Sequence, residues 1–460
     1  DIPLAVREGY HDAEHLKRYT ALGMGTDQGK TGNANALAIH AQATGIAIAD
    51  TGTTTFRPPY LPVTFGAIAG MAAKDLFQPA RRTPVWHWHR NNGADFEPVH
   101  LWHRPFCYGA GEAARGVAVE QEVRAVRTAV GILDASTLGK IEVRGPDAGR
   151  FLDRIYCRTI STLEIGRCRY GLMLDEQGFV LDDGVVARLG TDHYLLHTTS
   201  SGAEHTYNWL ECWLQTEWPD LRAFITPVTE QWAQFVVAGP RARDVVQELE
   251  GDINFAGADF PFLCLRQGVL AGVSVRVFRV SYTGELSYEI ATPANRASAL
   301  WDAILSAGEP YGITPFGTEA LHVLRAEKGY IAIGEETDGT VTPLDLGFGW
   351  MISKDGEDFI GKFGLERPDL MRPDRLQLVG LESIDNRQIL PQGACLTVET
   401  EGNGVAPLDL QVQHLLTEDF AHRRLHALAV AKLAAPVVGH EYAGGCEAFP
   451  AMLQEMRVGL

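Results

Sequence analysis

The sequence predicts an α+β fold, and three observations carry that prediction. Lys140-Ile-Glu-Val143 and Gly272-Val-Ser-Val-Arg-Val-Phe278 alternate apolar and polar residues, the period of a half-buried strand. Helical patterns lie among them at 147–155, 301–307 and 319–327, the last stopping at Lys328-Gly329. Pro368 and Pro373 then punctuate a boundary near residue 365, within a 460-residue chain that has room for about two to four domains. Three segments are expected: 1–82, helical and loop-rich; 83–365, the α+β core; and 366–460, a C-terminal β-barrel lobe. In the last, Leu376-Gln-Leu-Val-Gly-Leu381 and Gly393-Ala-Cys-Leu-Thr-Val398 have the pattern of barrel strands.

Taken in order, Asp12 is placed to cap a helix whose Leu16, Tyr19 and Leu22 recur at helical spacing, ending near Gly23. The glycine-rich polar loop Gly25 to Asn33 leads into a second helix, Ala34 to Thr44. Its glycines are too close together for the GxxxxGK[ST] phosphate loop, and no GxGxxG follows a strand anywhere, so a dinucleotide fold is not expected. Arg57-Pro-Pro-Tyr-Leu-Pro62 reads as an extended connector. From Thr83 the texture turns aromatic. His87, His89, His100 and His103 are interleaved with Trp86, Trp88 and Trp102 at a spacing that matches no zinc template, so packing and surface roles are expected and no metal.

The densest chemical information lies at Leu181-Asp-Asp-Gly-Val-Val186. Tyr170 to Leu174 is apolar, Asp175-Glu-Gln-Gly178 signals a turn, and Val185-Val186 resumes a strand before Tyr194-Leu-Leu-His197. Asp and Gly are depleted in strands, and a buried unpaired carboxylate is costly. Successive strand residues face opposite sides, so one of Asp182 and Asp183 is free to face a cavity while the other meets a loop or solvent. A solvated edge-strand bulge explains the run equally well at this point. Downstream, Val280 to Ile290 reads as strand, Thr-Gly turn and strand.

The formal charge of −18 excludes nucleic acid, whose phosphates it would repel, and gives no attraction to an anionic membrane. The weakly polar run from Leu61 to Ala73 is too short to span a bilayer. Seven scattered cysteines without a CxxC pair suit reduced thiols, which together with the lack of a signal peptide predicts a cytoplasmic protein. A chain opening on Asp1 is expected to be a piece of something longer.

Four stretches, in this order, resemble the glycine-cleavage T-protein (aminomethyltransferase) family: Ile132-Leu-Asp-Ala-Ser-Thr-Leu-Gly139, the Gly178-x3-Asp-Asp183 run, Tyr282-Thr-Gly-Glu-Leu-Ser-Tyr-Glu-Ile290 and Leu324-Arg-Ala-Glu-Lys-Gly329. Thr83 to Gly93 is similar to that family's opening segment. The front piece, Val6-Arg-Glu-Gly-Tyr10 through Gly29-Lys30, and the form His322 to Tyr330 resemble the α-subunit branch of heterotetrameric sarcosine oxidases within it. The likeness runs to about residue 400.

The resemblance implies a three-lobed, folate-binding fold and transfer of a one-carbon unit to tetrahydrofolate. It places Asp183 beside the reactive folate nitrogens as the catalytic carboxylate and gives Tyr282 and Glu289 the pterin. Tyr170, Asp182 and Arg325 complete the cofactor-binding set. Tyr170 as a plain core residue, and Glu285 as an exposed alternative to Glu289, stay open. One carboxylate suits the side-by-side N–H and amine of a pterin, as in bidentate pairing. An anion at Asp183 would stabilise a positive one-carbon electrophile and take the released proton. FMN or FAD is expected at or beyond an interface with a flavin-containing oxidase β-like subunit, alongside other small subunits, with Thr26, Asp27, Gln28 and Lys30 nearby. The expected activity is that of a sarcosine oxidase-like enzyme, converting the one-carbon product of N-methyl amino acid oxidation to 5,10-methylenetetrahydrofolate. A free-standing aminomethyltransferase or demethylase, and a non-catalytic scaffold, are the alternatives. The chain departs from the family pattern at Thr137, Leu138, Thr199 and Leu321, which disfavours transfer from a lipoyl-bound group.

Overall fold

In the computed structural model the described residues are 1–383, except 26, 59–60, 73–78, 110, 355–357 and 373–374. Beyond 383 the backbone of four strands is described. Thr26 and residues 393–394 therefore lie outside the described residues. Two compact units are present, Asp1–Ala80 and Arg81–Leu460.

The first unit holds α1 (Ile2–Arg7), α2 (Ala13–Tyr19), α3 (Asn33–Thr44) and α4 (Phe65–Ala69). Asp12 caps α2 as its sequence position implies, accepting from the amides of Glu14 and His15 at 2.9 and 3.1 Å. The helix ends at Tyr19, earlier than expected. Thr20 turns extended and its hydroxyl donates to Leu16 O, leaving Ala21–Gly23 as a separate three-ten turn. Ala5, Val6 and Leu16 form a small core. In the glycine-rich loop a side chain at Gly29 would meet Leu22 O at 2.2 Å, so only glycine fits.

The second unit opens with β1 (Arg81–Arg82), α5 (Trp86–Asn91), β2 (Asp95–Val99), β3 (Trp102–Cys107) and the long α6 (Glu112–Thr128). Two sheets then interleave in sequence. One is β6 (Cys168–Leu174), β7 (Val180–Gly190), β8 (His193–Thr198), β5 (Gly139–Arg144) and β9 (Phe224–Pro227), in that spatial order. The other runs β11 (Leu265–Leu270), β12 (Val273–Phe278), β13 (Ser287–Pro293), β10 (Trp232–Ala238), β4 (Val130–Asp134) and β14 (Ile313–Pro315). α7 (Ala148–Ile155) and α8 (Ala203–Thr216) bury Phe151, Leu152, Ile155 and Leu210 against the first sheet. α9 (Ala242–Gln247) and α10 (Ala297–Gly308) bury Val245, Leu300 and Trp301 against the second. A further cluster that includes Leu195, Leu265, Phe278 and Ala291 joins the two sheets. Polar side chains on their inner surfaces are therefore enclosed rather than solvated.

α11 (Thr318–Ala326) and α12 (Lys362–Leu365) follow. The expected hairpin at 280–290 is not a tight one. β12 stops at Phe278, pairs with β13 at Glu289, and the intervening residues leave the sheet. The Tyr282 hydroxyl donates to Ile331 O and Arg127 donates to Thr283 O, which pulls that segment toward the α6 and α11 side. The C-terminal strands β15 (Leu376–Ser383), β16 (Cys395–Thr400), β17 (Gly404–Val412), β18 (Ala427–Lys432) and β19 (Glu455–Val458) form an open sheet, order β16-β17-β18-β15-β19. This differs from the expected barrel. β19 pairs in parallel with β15, so β16 and β19 remain edges and the described strands do not close.

Candidate functional site

β7 sits between β6 and β8, so the acidic pair does not lie on an edge strand. A bulge is present nevertheless. Leu174 pairs with Val180 while Met173 pairs with Asp182, leaving Leu181 as the extra residue immediately before the carboxylates. Gly184 has φ +156°, and a side chain there would lie 1.9 Å from His197 O. The glycine thus lets β8 approach the strand that carries both aspartates.

The two carboxylates have separate surroundings. Asp182 is buried and accepts from the Thr206 hydroxyl at 2.8 Å, its neighbour's amide at 2.9 Å and the Thr199 amide at 3.4 Å. It ties β7 to the start of α8, and burial raises its pKa despite those bonds. Asp183, on the opposite side, is partly buried and accepts from the Tyr170 hydroxyl at 2.7 Å. Burial and the charge of Asp182 push its pKa up to about 7, against the hydrogen bond from Tyr170. Tyr170 meets Phe348 edge-on at 6.2 Å.

Tyr282 lies within electrostatic reach of both Asp183 and Arg325. Its ring stacks on Tyr330 at 6.2 Å and its hydroxyl donates to Ile331 O at 2.7 Å. Burial raises its pKa well above the ordinary value. Arg325, on α11, is completely buried. One edge of its guanidinium is spent on Glu336 at 2.7 Å and Tyr330 O at 3.1 Å. Among the described residues its Nε and Nη2 have no acceptor.

Glu289 stands on β13 opposite Val236 of β10. Its Oε2 lies 2.6 Å from Gln234 Nε2, and Gln234 Oε1 lies 3.2 Å from His197 Nε2. His197 Nδ1 reaches Val185 O at 3.1 Å, two residues along β7 from Asp183. A polar path thus crosses between the sheets and links the strand of Glu289 to that of Asp183. Burial pushes Glu289 up to about 7, opposed by Gln234 and Lys140. Lys140 is itself buried, donates to Ser136 O and Leu138 O at 3.0 and 2.9 Å, and is pushed down to about 7 by burial. Glu285 pairs instead with Arg127 at 2.9 Å.

Lys140, Gln234, His197 and Glu336 did not emerge from the sequence as site residues. The available signal was a polar residue interrupting an apolar strand, as at Gln234 in Trp232–Ala238. The positions that depart from the family pattern are engaged locally. Thr137 bonds Ser200 at 2.8 Å, Thr199 accepts from Gly202 N at 3.1 Å, and Leu138 and Leu321 pack against the apolar cluster around Leu133 and Phe316. His89 is buried between Asp134 at 3.0 Å and the Tyr108 hydroxyl at 2.8 Å. Among the described residues no group of His, Cys, Asp and Glu could hold a metal ion, and no helix is long and apolar enough to cross a membrane. In the first unit, Gln28 exchanges two hydrogen bonds with the Arg57 backbone, Asp27 accepts from Thr31 N, and Lys30 lies over Phe56 at 5.3 Å. A surface cleft of about 530 Å³, lined by Arg150, Arg154, Trp213, Trp218 and Phe363 among others, shares no residue with the Asp183 group.

Comparison with known proteins bears on the family and the fold. The family described as GCVT N-terminal domain matches residues 85–356, and the one described as sarcosine oxidase A3 domain matches residues 1–71. The sarcosine oxidase subunit alpha of Corynebacterium sp. (strain U-96) is 45% identical over 90% of the chain and 43% of that protein. The subunit alpha of Rhizobium meliloti (strain 1021) is also 45% identical, over 87% and 41%. The chain thus spans less than half the length of these relatives. An aminomethyltransferase of Symbiobacterium thermophilum is 32% identical over 70% of this chain and 83% of its own. The crystal structure of the glycine cleavage system aminomethyltransferase T from Bartonella henselae superposes with a TM-score of 0.64 at 24% identity, covering 76% of this chain and 90% of the other.

Proposed function

The chain belongs to the glycine-cleavage T-protein family, and from that premise we propose that it binds a reduced folate at the Asp183–Glu289 group. There it would make 5,10-methylenetetrahydrofolate from the one-carbon product of N-methyl amino acid oxidation. The observation that carries this proposal is the free edge of Arg325. Two buried guanidinium nitrogens without an acceptor among the described residues are costly, and a ligand that accepts from them would offset that cost.

The residues present fit a reduced pterin. Glu289 would accept from its paired N–H and amine, the Arg325 edge would donate to its carbonyl oxygen, and Tyr282 would supply an aromatic wall. A bound tetrahydrofolate supplies two nucleophilic nitrogens for a one-carbon unit. Asp183, titrating near neutrality, is suited to stabilise positive charge at the incoming carbon and then to hold the proton that is lost. Tyr170 would orient the carboxylate by donating to one of its oxygens.

In the same proposal the chain is part of a multi-subunit, sarcosine oxidase-like enzyme of the cytoplasm, supported by the two subunit alpha relatives. A flavin subunit would oxidise the amine, and unit 1 would face the FMN or FAD side. Purified chain should bind tetrahydrofolate anaerobically, and Asp183→Asn should slow methylene-folate formation while sparing amine oxidation in the complex. Absence of binding, or equal loss of both rates, would refute the assignment.

A further inference from the structure

We propose that Arg127 is a positioning residue of the folate site: its guanidinium bridges the backbone carbonyls next to Tyr282 and Arg325 and thereby sets the spacing of those two side chains; this rests on the folate assignment above.

Arg127 stands one residue before the end of α6 and reaches two segments that are distant in sequence. Nη1 donates to Thr283 O at 2.6 Å and to Glu285 Oε1 at 2.9 Å. Nη2 donates to Leu324 O at 3.0 Å and to Glu327 Oε2 at 2.8 Å, and Nε donates to the same Glu327 oxygen at 2.9 Å. An arginine has five N–H groups, and each of them here has an acceptor. Thr283 directly follows Tyr282, and Leu324 directly precedes Arg325. One rigid, planar group is therefore bonded to the main chain beside two of the residues assigned to the pterin.

Local structure leaves both carbonyls in need of such a donor. Residues 279–286 lie between β12 and β13, outside the sheet, so Thr283 O has no ladder partner. Leu324 O is one of the last four carbonyls of α11, the group that a helix cannot satisfy from within. Both residues are completely buried, which removes water as the alternative. The segment also lies directly on the residues after α11, since a side chain at Gly284 would meet Lys328 Cγ at 2.2 Å. Tyr282 closes the contact from its own end by donating to Ile331 O and stacking on Tyr330.

Charge pairing with Glu285 and Glu327 is the simpler role for Arg127. That role needs neither carbonyl, and a lysine would supply it. An ammonium carries three N–H groups on a single nitrogen, too few for two carbonyls and two carboxylates at once. Arg127 acts on the ligand through Tyr282 and Arg325, whose main chain it holds.

The test is anaerobic equilibrium dialysis of the full chain with tetrahydrofolate. Arg127→Lys should bind about tenfold more weakly, as the two side chains lose their set spacing. Combined with Arg325→Lys it should still bind only about tenfold more weakly than the parent, whereas independent losses would multiply to about a hundredfold. A multiplied loss would overturn the inference. Glu285→Gln removes an ion pair and neither carbonyl bond, so it should bind within about twofold of the parent. A loss equal to that of Arg127→Lys would assign the effect to charge pairing and overturn the inference too. A parent chain that binds no tetrahydrofolate would refute the folate assignment, and the ligand-free chain then decides the positioning role. With fluorotyrosine incorporated, the ¹⁹F signal lost in Tyr282→Phe should move in Arg127→Lys, while the signal lost in Tyr194→Phe, on β8, stays in place. A Tyr282 signal unmoved by Arg127→Lys would overturn it.

Discussion

Replacing Asp183 by Asn tests the site through stability as well as rate. The carboxyl titrates near 7 in the folded chain, against 3.8 as the ordinary value. Because the folded-state value is the higher, the folded chain holds the extra proton between those limits. Stability therefore falls as pH rises from about 4 to about 7 and stays lowered above that. A shift of that size corresponds to about 4 kcal/mol, an upper bound since Asp182 shares the titration. The carboxamide that Asp183→Asn introduces still accepts from Tyr170 and never ionises. The variant should lie close to the parent's thermal midpoint at pH 4 and exceed it by a few degrees at pH 8, while slowing methylene-folate formation. Midpoints followed by circular dichroism at both pH values, with parallel assays of folate product, give the comparison. A midpoint lowered equally at both would refute the reasoning, because Asp183 would then be a structural acceptor rather than a charge held at a cost for chemistry.

Three further outcomes are expected. Glu289→Gln should weaken tetrahydrofolate binding by roughly 1–3 kcal/mol, measured by anaerobic equilibrium dialysis, since a charge-assisted acceptor becomes a neutral one. Arg325→Lys should keep a cation for the buried Glu336 and hold the thermal midpoint, yet bind folate about tenfold more weakly, because the free Nε–Nη2 edge is gone; unchanged affinity would mean that edge faces only water. Gly184→Ala should destabilise the chain by roughly 2–4 kcal/mol in denaturant titration, as the new methyl meets His197 O.

Much of this was legible in the sequence. Alternation located β5 and β12, a turn signal bounded β6 and β7, and two aspartates in an apolar strand pointed to the candidate site proposed here. What alternation cannot say is what covers the polar face. Lys140 and His197 would be solvated on a single-faced sheet, and they are buried here because β10 and β13 lie across from them. The loss of the expected tight hairpin has the same origin. Tyr282 finds its acceptor 49 residues away, a contact that no local propensity encodes. Closure of the C-terminal sheet likewise depended on how β19 pairs.

The departures from the family pattern fall on one side of this picture. Leu321 packs in the apolar cluster with Val323 and Leu324, and Thr137 is spent on Ser200. The groups assigned to the pterin, by contrast, are each backed by a second residue: Tyr170 for Asp183, Gln234 for Glu289 and Glu336 for Arg325. Such backing would hold each side chain in place for a ligand. We infer that what has changed is how the one-carbon unit arrives. A small electrophile from an oxidase partner needs no anchoring arginine, whereas a carrier-bound aminomethyl group does. Restoring the cation as Leu321→Arg should therefore leave tetrahydrofolate affinity within about twofold and confer no lipoyl-dependent transfer unless Thr137 and Leu138 are changed as well. Appearance of that activity in the single variant would place the whole difference at one residue.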